Sequence, residues 1–136
     1  MSETVTGRGC AEIIEAFELL SKQEVDLLQP TYQRFFQLCP EAEQLMGHSD
    51  EHMRGRMLDQ TLELLMDDQL QGPESYFRWE INNHVSAYGV SPKMYTDYFE
   101  ALGEAVKHSL GAAWSSRFEK GWRLRTADLL RDVAST

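Results

Sequence analysis

Apolar residues recur along this chain at steps of three and four, and no segment alternates apolar with polar as a half-buried strand does. That regularity limits the fold to packed helices. It is plainest after residue 90, where Ser91-Pro92 reads as a helix start: the serine oxygen can take an orphan amide, and a first-turn proline leaves none behind. Tyr95, Tyr98, Phe99, Leu102 and Val106 then fall on one buried side, and Leu110-Gly111 closes the helix. A last helix, from about Ala112 to Val133, carries Trp114, Phe118, Trp122, Leu129 and Leu130.

The first half reads the same way. Ile13, Ile14, Phe17 and Leu20 line one face of a helix from Cys10 to Leu20. Ser21 and Glu24 have the spacing of a capping box, so a second helix is expected to start there and to carry Val25, Leu28, Tyr32, Phe35 and Phe36. Pro30 is expected to bend it, since an interior proline removes a donor. Cys39-Pro40 starts a short helix, and Ser49 or Asp50 caps a longer one containing Met57, Leu58, Leu62, Leu65 and Met66. Gly72-Pro73 restarts the chain into "ESYFRWEINNH", where Phe77, Ile81 and either Val85 or His84 share a face. Six or seven helices without internal repeat predict an all-α fold.

Bulk properties narrow the partners. A chain of 136 residues with 42% apolar content suits one domain, taken as 10–136 behind a flexible stretch 1–9. Asp and Glu outnumber Lys and Arg by 22 to 13, which argues against nucleic acid and against an anionic membrane surface. Cys10 and Cys39 lack paired metal-ligand spacing, no apolar run approaches the roughly 18 residues of a membrane span, and "MSETVTGRG" lacks the layout of a secretory signal. A reduced cytoplasmic protein is expected, with Cys39 as a small buried apolar residue.

The helix order, "YQRFFQLCPE" (32–41), "HVSAYGVSPKMY" (84–95) and Trp122 together resemble a bacterial globin, close to the haem domain of flavohaemoglobins and their single-domain relatives. The resemblance covers about residues 10 to 133. It implies a globin-like fold of six to eight helices around a haem pocket, with haem b as cofactor. Carried across residue by residue, it makes His84 the iron ligand, the usual globin arrangement. Tyr32 becomes the phenol that donates to a diatomic ligand on the iron's other side, and Tyr95 the residue beneath His84 that orients its ring. Arg54 and Leu58, one turn apart, match the two distal positions of the long helix; a slip of "GHSDEHMRG" would present His52 or Met53 instead. Arg54 is preferred because it turns Leu58, Leu62 and Leu65 inward together. Phe36, Val90 and Tyr98 complete the cofactor lining.

The chain departs from the family at several places. Met46 stands where a phenylalanine stacks on the porphyrin; its thioether can also contact aromatic faces. Glu80 replaces an apolar residue, and burying its carboxylate against a haem would cost unless it were paired. The corner from His84 to Pro92 is a residue longer than in many relatives, and these 136 residues hold neither the late glutamate of the last helix nor a reductase domain.

Three readings follow. The first is a reversible binder of O2, NO or CO for transport, storage or sensing, as monomer or homodimer. The second is a nitric oxide dioxygenase fed by a separate reductase. The third is a globin-shaped sensor or interaction domain without haem, a reading that Met46 and Glu80 keep open.

Overall fold

The computed structural model describes residues 9–47, 49–67 and 91–134. These residues form six α-helices and no strand: α1 (Cys10–Lys22), α2 (Leu28–Leu38), α3 (Pro40–Leu45), α4 (Glu51–Met66), α5 (Pro92–Leu110) and α6 (Ser116–Ala134), with a 3-10 turn at Gly111–Ala113 between the last two. None of these helices is long and apolar enough to cross a membrane.

Most boundaries fall where local chemistry places them. Pro40 and Pro92 occupy the first turns of α3 and α5, and Asp50 Oδ1 accepts from the Met53 amide at 2.8 Å to cap α4. Two expectations need correction. Ser21 does not open a helix; it lies in the last turn of α1, where Glu24 N donates to Ser21 O (3.2 Å) and Val25 N to Leu20 O (3.4 Å), with Glu24 in the left-handed region at φ 55°. α2 starts later, helped by Asp26, whose Oδ1 accepts from Leu28 N at 2.9 Å. Pro30 therefore sits in the first turn of α2, where no intrahelical donor is required, and it starts the helix instead of bending it. α6 also begins later than expected, at Ser116, with Ser115 Oγ accepting from Phe118 N. Trp114 consequently lies in the linker and donates its indole N–H to Glu119 Oε1 at 3.0 Å.

The side chains collect into two clusters that share α5. The first joins Ile13, Ala16 and Leu20 of α1, Leu58, Leu64 and Leu65 of α4, Phe99, Leu102, Val106 and Leu110 of α5, and Phe118, Trp122 and Leu129 of α6. The second joins Tyr32 and Phe35 of α2 with Cys39, Ala42, Met94 and Ala101. Close helix approach is built in at Gly103, where a Cβ would stand 2.6 Å from the Trp122 indole nitrogen, so α5 and α6 meet at a distance only glycine permits.

Among the described residues one charged side chain is wholly enclosed. Arg125 of α6 donates from Nε to Leu65 O (3.1 Å) and from Nη2 to Leu64 O and to Asp67 O (3.3 Å). These are carbonyls at the end of α4, where the helix has no amide partners of its own and its dipole is negative. Cys10 and Cys39 are buried and outside any disulfide.

Candidate functional site

Residues one turn apart on α2 place Tyr32 and Phe36 on one side of the helix, and α5 brings Tyr98 against them. The Tyr98 hydroxyl donates to the Tyr32 oxygen at 3.1 Å. Tyr98 can in turn accept from the Thr61 hydroxyl of α4, whose single proton has the Met57 carbonyl, 2.9 Å away, as its alternative acceptor. The Tyr32 hydroxyl in turn has the Arg54 carbonyl as its acceptor, but at 3.5 Å. Hydroxyl bonds are ordinarily 2.5–3.0 Å, roughly, so this last contact is weak. The result is a chain of hydroxyls, Thr61 to Tyr98 to Tyr32, that ends on a buried O–H with a poor acceptor.

Aromatic edges hold the pair in place. Tyr32 meets Phe35, Phe36 and Tyr98 in T-shaped contacts with centroids 6.2, 5.8 and 5.5 Å apart, and Phe35 meets the Tyr98 ring at 5.1 Å. Such geometry sets the positive edge of one ring on the negative face of the next. Burial pushes the Tyr98 phenol well above the usual tyrosine range. Burial also raises Tyr32, against the bond received from Tyr98 and the nearby Arg54 charge, which pull it down. Both phenols therefore stay protonated and able to donate at neutral pH.

Arg54 borders the pair from α4. Its guanidinium carbon lies 5.7 Å from the Tyr32 ring centroid and 5.1 Å from that of Phe36, within cation–π range. Nε donates to Ser49 Oγ at 2.9 Å, and Ser49 Oγ donates to Met46 O at 2.6 Å. One turn further along α4, Leu58 is 5% exposed. The chain matches no protein-family model and no curated protein.

The structure thus brings together Tyr32, Phe36, Arg54 and Tyr98 among the residues singled out in the sequence, with Met46 half-buried against the same aromatic cluster. Leu58 packs in the first cluster. His52 and Met53 are exposed, while Arg54 is half-buried. Tyr95 goes elsewhere: it packs against the first cluster. His84, Val90 and Glu80 lie outside the described residues. Among the described residues no three His, Cys, Asp or Glu side chains converge as a metal site. Two open grooves, of about 660 and 430 Å³, run between α5 and α6 past Trp114 and Lys107 and share no lining residue with the tyrosine pair.

Two participants escaped the sequence reading. Thr61 lies three residues after Leu58 and seven after Arg54, so helical spacing already set it on their side of α4. Ser49 reads in the sequence as a cap, a role that Asp50 takes, leaving the serine to hold Arg54.

Proposed function

We propose that this protein is a haem b globin that reversibly binds a diatomic gas, O2, NO or CO, for transport, storage or sensing, with His84 as the iron ligand. The observation that carries this reading is the open-ended hydroxyl chain. A buried O–H without a good acceptor is costly, and such a group is retained where something else completes it. Tyr98 occupies the Tyr32 oxygen as an acceptor, which leaves the Tyr32 proton to point away from Tyr98 and toward a bound ligand.

The residues on the described side suit the cofactor. Phe36 and Met46 offer apolar and polarisable surface, while Tyr32 offers a hydrogen-bond donor in a dry setting. When bound, haem supplies an iron centre able to coordinate the gas; the protein's part is to hold the cofactor, exclude water and present the phenol proton. Tyr98 positions that proton, and the phenylalanines keep both rings from turning.

An absorption spectrum of the purified protein, before and after addition of haemin, dithionite and CO, tests the assignment. A Soret band that shifts on reduction and on CO binding is expected, and its loss in His84→Ala. A colourless chain that takes up no haemin overturns it. Tyr32→Phe should speed O2 release about tenfold, as expected for loss of a bond worth about 1.5 kcal/mol; an unchanged rate in stopped flow removes Tyr32 from the ligand's side.

A further inference from the structure

We infer that the Arg54–Tyr32 face is a selectivity element for small anions of the size of azide or nitrite, so that the site takes a charged ligand in addition to a neutral diatomic. The inference rests on the haem-globin reading for what lies in front of this face, but its charge and donors are properties of the chain alone.

Arg54 has two carboxylates at helical ion-pair spacing, Asp50 and Glu51, and pairs with neither. Asp50 is engaged in capping the Met53 amide at 2.8 Å, and Glu51 Oε1 accepts from Gln29 Nε2 at 3.0 Å. Four other arginines of the described residues, Arg34, Arg117, Arg123 and Arg131, each meet an Asp or Glu. Arg56 on the same helix also meets no carboxylate among the described residues but is exposed, whereas Arg54 is half-buried in a chain with 22 acidic and 13 basic residues.

The guanidinium is also held in place. Ser49 fixes Nε, the Met46 carbonyl fixes Ser49, and the rings of Phe36 and Tyr32 support the guanidinium plane. Its Nη groups make no hydrogen bond to another described residue, so the planar fork keeps its donors available. Beside it, the Tyr32 O–H has only a 3.5 Å contact to the Arg54 carbonyl. A fixed cation and a neutral O–H donor side by side, with aromatic walls that lower the local dielectric, complement a small anion.

The test compares a charged with a neutral ligand on the same site. Ferric, haem-loaded protein is titrated with sodium azide and, above the imidazole pKa, with imidazole. Arg54→Leu should weaken azide binding about tenfold, the lower range for a charge-assisted bond at a half-exposed group, and leave imidazole within about a factor of two. Arg54→Lys, which keeps the charge and loses the fork, should fall between. Equal shifts for the two ligands, or an unchanged azide affinity, overturn the inference. Should the wild-type chain take up no haem, the haem reading fails by itself, and the anion site is read from the melting temperature in azide against chloride-matched controls. A rise that disappears in Arg54→Leu supports it; the same response in both proteins sinks it.

Discussion

The two clusters on either side of α5 are built differently. The first is hydrocarbon almost throughout, from Ile13 and Leu20 to Leu65, Leu102 and Leu129, and its one enclosed charge, Arg125, is spent on helix-end carbonyls. The second is smaller and mixes rings with hydroxyls, sulfur and a neighbouring guanidinium. Apolar surface stabilises without direction, whereas hydrogen-bonding groups act only at particular distances and angles. The first cluster should therefore govern how stable the chain is, and the second what it binds.

Substitutions on each side can break that division. The largest effect is expected at Leu102, fully buried in the first cluster: Leu102→Ala should cost about 3–4 kcal/mol in urea denaturation, from lost transfer energy and the cavity left behind, with ligand release rates unchanged. A large change in ligand kinetics there would mean the clusters are coupled.

Tyr98→Phe should do the reverse, costing about 1 kcal/mol in stability while speeding ligand release, because the Tyr32 oxygen loses the donor that orients it. The same variant has a pH signature. The Tyr98 phenol ionises at higher pH in the fold than in the unfolded chain, so above about pH 10 the unfolded state holds fewer protons and stability falls as pH rises. That contribution is fully present below the unfolded pKa and is lost through the folded one. Alkaline unfolding monitored by circular dichroism should show a shallower decline in Tyr98→Phe than in wild type.

The smallest effect sharpens the contrast between a polar group that has a use and one that has none. Thr31, adjacent to Tyr32 in sequence, is fully buried and its hydroxyl has no hydrogen-bond partner. Thr31→Val keeps the shape and removes the stranded hydroxyl, so it should stabilise by about 1 kcal/mol, seen as a higher melting temperature, with ligand binding unaffected.

Much of this arrangement was legible in the residues. Pro40, Asp50 and Pro92 mark helix starts by chemistry that acts within a few residues, and Leu58, Leu65 and Leu102 follow a period that needs only one buried side. The failures come where local pattern and distant contact disagree. "SKQE" satisfies the capping box in residue type, yet Glu24 turns left-handed and Asp26 supplies the cap two residues on. Tyr95 and Tyr98 share the apolar side of α5, but that side faces two clusters, and spacing cannot tell which tyrosine enters which. Arg125 is not among the residues singled out in the sequence. Its place three residues after Trp122 and four before Leu129 put it on the inward face, which was a usable signal.

Arg125 has a consequence for the order in which the chain can assemble. It reaches carbonyls 58 to 61 positions earlier in the chain, so the far end of α4 takes these donors from the last helix. The bonds from Arg125 can form only once the last helix has docked. Swapping α6 for an unrelated helix of equal hydrophobicity would leave an early, loosened intermediate frayed at residues 64–67, even though nothing in that stretch had been altered.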